Sequence, residues 1–176
     1  KGIRKFLFIG RNERRKGVQE LCQCTEVFES SNCEMHWIGP IPIEKRLDSA
    51  KHIYHGEISN IEALQSIIDE CQILVLPSLS EGMPNVVLEA MSRGLAVVAS
   101  KVGAVPMMVS EKNGVLVKPG DISSLKKALN AMATVSDETM FEMQEASLQA
   151  IQSNFKWSDI ARQTLTAIKE ATHTKV

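Results

Sequence analysis

Apolar residues in this chain gather into short unbroken runs instead of alternating with polar ones. Lys5-Phe-Leu-Phe-Ile-Gly10 is apolar and closes on glycine, the mark of a strand buried on both faces. Glu34-Met-His-Trp-Ile-Gly39, closed by Pro40 and Pro42, reads the same way, as does the short Ile53-Tyr-His55 ending at Gly56. Gln72-Ile-Leu-Val-Leu-Pro77, Ala96-Val-Val-Ala-Ser100 and Gly114-Val-Leu-Val117 complete the set. Between them the period changes to that of a helix. Val18, Leu21, Thr25 and Phe28 predict one helix over Gly17–Ser30. Ser59-Asn-Ile-Glu62 has the capping-box pattern and opens a helix holding Ile61, Leu64, Ile67 and Ile68. Pro84 starts another, which stops near Gly94. The segment 103–110 is a loop or short helix, and Asp121 caps the next helix. Two amphipathic helices finish the chain, Asp137–Ser153 and Ser158–Thr172; the first carries Met140, Met143, Leu148 and Ile151 on one face.

Continuous apolar strands alternating with helices imply a parallel sheet covered on both faces. With about six strands, no internal repeat and no low-complexity linker, the expected fold class is α/β. It is one Rossmann-like three-layer α/β/α domain spanning residues 1–176.

Composition narrows the function classes. The chain has 176 residues, 44% hydrophobic and 23% charged, with 20 Lys plus Arg against 21 Asp plus Glu. That balance disfavours a nucleic-acid partner, which calls for a basic surface, and a disordered chain, which needs low hydrophobicity. No apolar run approaches the roughly 18 residues of a membrane span, and the start, Lys1-Gly-Ile-Arg-Lys5, runs into a strand without a signal-peptide pattern. Cys22, Cys24, Cys33 and Cys71 are scattered with no CxxC pair, so they read as free thiols in a reducing compartment and not as metal ligands. His52 and His55 fall on opposite sides of a strand, and His36 reads as a packed or satisfied histidine, so no metal is expected. The methionines, Met107, Met108, Met140 and Met143 among them, read as core filling, and Trp37 and Trp157 as packing residues.

Ligands of open α/β sheets bind beyond the carboxyl ends of the strands. The loop after the first strand, Gly10-Arg-Asn-Glu-Arg-Arg-Lys-Gly17, holds four basic residues at a helix start; it is either a phosphate site or a solvated charged turn. After Ile73–Leu76 comes Ser78-Leu-Ser-Glu-Gly-Met-Pro-Asn-Val-Val-Leu-Glu89. Glu81 in the loop, Glu89 up the helix and the free amides of residues 83–86 between them make a site for a nucleotide-linked sugar; the plainer alternative is two solvated acids near a helix start. No Gly-x-Gly-x-x-Gly follows the first strand and no Gly-x4-Gly-Lys-Ser/Thr occurs, which disfavours a dinucleotide oxidoreductase and a P-loop NTPase.

Four ordered segments resemble the C-terminal half of a GT-B glycosyltransferase of the large retaining group called family 4. They are Phe8-Ile-Gly-Arg11 with Lys16-Gly17, His55-Gly-Glu-Ile58, Leu76 to Met91 with its paired Glu81 and Glu89, and Asn113 to Asp121. Phe155-Lys-Trp157 before the last helix is similar too. The resemblance implies a donor-binding domain that takes a nucleotide-diphospho-sugar, such as a UDP- or GDP-sugar. It implies catalytic roles for Arg11 and Lys16, on the leaving diphosphate, and for Glu81, on the sugar hydroxyls. Glu89 would hold the ribose, Gly10, Gly82, Met83, Pro84, Asn85 and Val86 would line the sugar and phosphate, and Gly56, Glu57 and Ile58 would border the base. No metal or other cofactor is implied, and retention would not use the flanking carboxylate pair of glycosidases.

The family pattern Gly-Gly-x-x-Glu is replaced by Gly103-Ala-Val-Pro-Met107, which bears on donor choice and activity. A GT-B enzyme also has a second, acceptor-binding domain. Its absence before Lys1, together with the missing initiator Met, leads to the expectation of an inactive piece of a hexosyltransferase-type parent whose last helix exposes Ile160, Leu165 or Ile168. That parent would act on a glycan or lipid-linked acceptor in the cytoplasm of a bacterium, peripheral to the inner membrane face, in polysaccharide biosynthesis. The competing expectations are a non-catalytic nucleotide or sugar-phosphate binding module of the same fold and a nucleotide-sugar epimerase.

Overall fold

In the computed structural model, which describes residues 2–173, every apolar run named above becomes a strand of one sheet. The strands are β1 (Arg4–Ile9), β2 (Cys33–Ile38), β3 (His52–Gly56), β4 (Ile73–Leu76), β5 (Ala96–Ser100) and β6 (Gly114–Val117). They pair in the order β3-β2-β1-β4-β5-β6, and every pairing is parallel. The unbroken apolar runs follow from that arrangement, because both faces of the sheet are buried. Phe6, Phe8, Met35, Trp37, Val75 and Val98 point into one core, and Leu7, Ile38, Leu74, Leu76, Val97 and Ala99 into the other. Each such side chain contributes roughly 1.5–3 kcal/mol on burial.

Helices α1 (Val18–Cys22), α2 (Thr25–Glu29) and α6 (Ile122–Thr134) cover the first core. Helices α3 (Ile61–Glu70), α4 (Asn85–Ser92) and α5 (Val105–Met108) cover the second; α7 (Asp137–Asn154) spans both, with Met140 and Met143 on the first core and Ala150 and Ile151 on the second, and α8 (Trp157–His173) follows. Leu165 and Ile168 of α8 are exposed as expected, whereas Ile160 is half-buried. The side chain of Trp157 lies outside the described residues. No helix among them is long and apolar enough to cross a membrane.

Three local expectations are corrected. The single helix over Gly17–Ser30 is two, because the buried positions Val18, Leu21, Cys24 and Val27 recur every three residues. A tightened turn meets that spacing, and the Gln23, Cys24 and Val27 amides accordingly bond three residues back. The cap of α3 is Asn60, not Ser59: Asn60 Oδ1 accepts from the Ala63 amide at 2.8 Å, and Ile61 at the first position stands exposed. Met107 is 77% exposed, since α5 is one turn long and turns Val105 and Met108 inward. Met108 and Met140 do fill core, Met143 packs half-buried against it, and Trp37 is buried.

β1 and β4 are neighbours, yet the chain leaves β1 toward α1 on one face and β4 toward α4 on the other. That divergence opens a crevice at the carboxyl edge, the topological switch point of a doubly wound sheet.

Candidate functional site

The loops after β1 and β4 are locked together at the crevice. Gly17 has φ +70°, and a Cβ there would lie 2.0 Å from the Pro77 carbonyl oxygen. Only glycine allows both the left-handed backbone and this approach. Two residues earlier the Arg15 carbonyl accepts the Leu79 amide at 2.7 Å. The β4 loop is held from its other side as well: a Cβ on Gly103 would meet the Glu81 carbonyl oxygen at 2.2 Å, and the Ala104 amide donates to Gly82 at 2.8 Å.

This clamp brings two of the expected site residues into contact. Lys16 Nζ lies 2.7 Å from Glu81 Oε1, with side chains 16% and 7% exposed. The same oxygen accepts from the Ser78 hydroxyl at 2.8 Å, while Glu81 Oε2 faces Arg15 Nη1 at 3.7 Å. The remaining cations of the β1 loop have their own partners. Arg15 pairs with Glu13 at 2.8 Å, Arg14 with the buried Glu20 at 2.7 Å, and Arg11, largely exposed at the mouth, lies 3.8 Å from Glu13. Arg11 is therefore near the crevice without touching Glu81.

Helix α4 starts beside this pair. Pro84 stands at its N-cap, no side chain caps it, and no acid lies in its first turn, so its leading amides face the crevice uncapped. Met83 and Asn85 are exposed, Pro84 buried and Val86 half-buried. Glu89 is exposed one turn above Asn85 and is not joined to Glu81. It borders two clefts: one of about 430 Å³ lined by Met83, Asn85, Leu88, Phe155 and Ile160 among others, and one of about 350 Å³ against α3. At the end of β3 the Gly56 carbonyl accepts the Gly39 amide at 2.8 Å; Glu57 is exposed and Ile58 packs on the second core. Gly10 packs against Gly39, whose own Cβ would meet the Gly10 carbonyl oxygen at 2.0 Å.

Sequence reasoning passes over Ser78, Arg15 and the Gly17–Pro77 contact. A serine three residues before an acid is too common a pattern to single out, and the contact is between segments sixty residues apart. It also leaves His36 and His55 unpaired, although their rings stack and Nδ1 of one lies 3.0 Å from Nε2 of the other. Among the described residues no three His, Cys, Asp or Glu side chains gather as metal ligands would. Burial pushes the Cys24 and Cys71 thiols up to about 11 and about 12, so neither is a nucleophile near neutral pH.

Known proteins resemble this chain in sequence and in fold. TuaC, a glycosyltransferase assigned to teichuronic acid biosynthesis in Bacillus subtilis (strain 168), is 31% identical over 126 residues, covering 72% of this chain and 32% of its own. The C-terminal domain of the glycosyl transferase group 1 family protein LpcC of Francisella tularensis superposes with a TM-score of 0.76 at 22% identity, over 89% of this chain and 88% of that one. HepE of Anabaena, solved in complex with UDP and glucose, gives a TM-score of 0.73 at 18% identity, covering 96% of this chain and 48% of its own. The chain thus spans about a third of the length of TuaC and about half that of HepE. Residues 3–134, three strands on one side of the crevice and three on the other, match the family described as glycosyl transferases group 1, and the chain belongs to that family.

Proposed function

We propose that this chain is the donor-binding half of a retaining glycosyltransferase. It takes a nucleotide-diphospho-sugar, such as a UDP- or GDP-sugar, and the whole enzyme passes the sugar to a glycan or lipid-linked acceptor held by a second domain. The observation that carries the reading is the Lys16–Glu81 contact at 2.7 Å, which sets a cation and a carboxylate side by side at the switch point. Lys16, Arg11 and the uncapped start of α4 form a cationic wall for the diphosphate. Negative charge on the diphosphate grows as the bond to the sugar breaks, so this wall is worth most in the transition state. Cationic side chains and helix amides in these positions leave no task that requires a metal. Glu81 accepts sugar hydroxyls, Glu89 accepts the ribose hydroxyls, and Gly56, Glu57 and Ile58 border the base. The UDP and glucose bound by the structurally similar HepE fit this assignment, and the role of TuaC points to bacterial surface polysaccharide as the product class. The parent enzyme would work where nucleotide sugars are made, in the cytoplasm, and meet a membrane only peripherally. A second reading, a non-catalytic nucleotide-binding module, draws on Ala104 and on the exposed apolar Met107 beside the crevice.

Calorimetric titration of the chain with UDP, GDP and ADP, each beside its nucleoside, tests the proposal. One diphosphate should bind selectively. Glu89→Ala should weaken it by about 1–3 kcal/mol, the cost of losing a charged acceptor. Arg11→Ala should weaken the diphosphate well beyond the nucleoside; equal losses for the two would contradict its place at the phosphates. Sugar transfer by the parent enzyme would dismiss the second reading.

A further inference from the structure

We propose that Ser78 is a positioning residue for Glu81: its hydroxyl and the Lys16 ammonium occupy Oε1, leaving Oε2 as the oxygen that meets the donor sugar. The assignment rests on the donor-binding reading above. Ser78 is 0% exposed, and its hydroxyl makes one hydrogen bond among the described residues, donated to Glu81 Oε1 at 2.8 Å. A buried hydroxyl is costly unless bonded, and alanine would fill the same space without that cost. Ser78 lies beyond the end of β4 and caps no helix, so the fold itself makes no use of its oxygen.

Its neighbours explain why the hydroxyl is well placed. Pro77 is pressed against Gly17, and the Leu79 amide is bonded to the Arg15 carbonyl, so the backbone on both sides of Ser78 is fixed by the β1 loop. The Glu81 backbone is fixed in turn by Gly103 and, through Gly82, by Ala104. What remains free is the Glu81 side chain with its three torsions. Holding them in advance spares the donor that entropy. Lys16 alone is a poor holder, because the diphosphate competes for its ammonium. Ser78 is neutral and buried, and keeps its bond when the donor arrives. Oε2 has Arg15 at 3.7 Å, beyond hydrogen-bonding distance, so its lone pairs stay open.

The test compares UDP with UDP-glucose, GDP with GDP-mannose and ADP with ADP-glucose by calorimetry, in wild type, Ser78→Ala, Glu81→Ala and the double variant. Ser78→Ala should bind the diphosphate within about twofold of wild type and lose about tenfold of the extra affinity that the sugar brings. In the Glu81→Ala background, which leaves Ser78 no side-chain acceptor there, the same change should cost little, because Ser78 acts through that carboxylate. Ser78→Cys, of similar volume and a weaker donor, should fall between and serves if the alanine variant does not fold. Equal weakening of diphosphate and sugar nucleotide, or additive losses in the double variant, would make Ser78 merely structural and overturn the proposal. A sugar increment unchanged in Ser78→Ala overturns the assignment of Ser78 alone, and one absent from wild type overturns the sugar-binding role of Glu81 and that of Ser78 with it. A wild-type chain that binds none of the three pairs overturns the donor reading itself, and the role of Ser78 with it.

Discussion

Gly17 and Gly56 have nearly the same backbone, φ +70° and +72°, but opposite surroundings. A Cβ at Gly56 would meet nothing within 4 Å; at Gly17 it would overlap the Pro77 carbonyl. Alanine at Gly56 should therefore cost only the left-handed conformation, about 1 kcal/mol. Alanine at Gly17 must also push the β1 and β4 loops apart, and should cost about 3 kcal/mol while loosening the Lys16–Glu81 contact. Urea denaturation of the two variants checks this, and equal losses would mean the loops can part freely. The comparison also marks what was legible at this scale. Charge at the carboxyl ends of strands marked the loops of Lys16 and Glu81 but left a solvated turn equally open, and it was the ordered family-like segments that singled out these two residues. Gly17 was readable as part of a motif, but its reason, a carbonyl sixty residues away, was not. Ser78 carried no signal, since a small polar residue in a loop fits any role.

Element types were more legible than element ends. All six strands and the helices between them follow from where apolar runs and helical spacing lie. The hydrogen bonds that fix boundaries depend on single side chains and are harder to foresee. Helix α3 shows the difference: Ser59 and Asn60 are both good capping residues, and sequence alone does not rank them. The bond from the Ala63 amide to Asn60 Oδ1 decides for Asn60. Asn60→Ala should therefore destabilise the chain by about 1 kcal/mol and Ser59→Ala by a few tenths at most. Thermal melts of both would settle it, and the reverse order would restore Ser59 as the cap. Asp121, expected to cap α6, does so by accepting the Ser124 amide at 3.0 Å. No competing Ser, Thr or Asn stood directly beside it.

For the whole molecule, unbroken apolar runs told of a parallel sheet buried on both faces, but not its order; β1 beside β4 is a tertiary choice, and it creates the crevice. The same burial sets a pH limit. His36, His52 and His55 sit on β2 and β3, and burial, the largest cause for each, holds all three below the ordinary histidine range. Each has reason to resist a proton. His52 Nδ1 accepts from the Trp37 indole at 3.1 Å, which places its one hydrogen on the buried, unpartnered Nε2; a second proton would break the Trp37 bond. His36 and His55 share one ring-to-ring bond, with Glu34 and Glu70 nearby favouring charge and Lys5 opposing it, and two protonated rings would set N–H against N–H. Below about pH 6.5 the unfolded chain therefore binds protons that the folded chain refuses. These histidines contribute stability that is complete above that pH and lost as pH falls, at up to about 1.4 kcal/mol per pH unit for each. Asp69, lowered by Arg93, and Glu70, lowered by Lys5, act in the same direction but only near and below their ordinary range, around pH 4. The urea midpoint should thus be level from pH 8 to 7 and fall steeply from 6.5 to 5, before the carboxylates titrate. A midpoint that stays level to pH 5 would mean the three rings take up protons inside the fold as readily as in the unfolded chain.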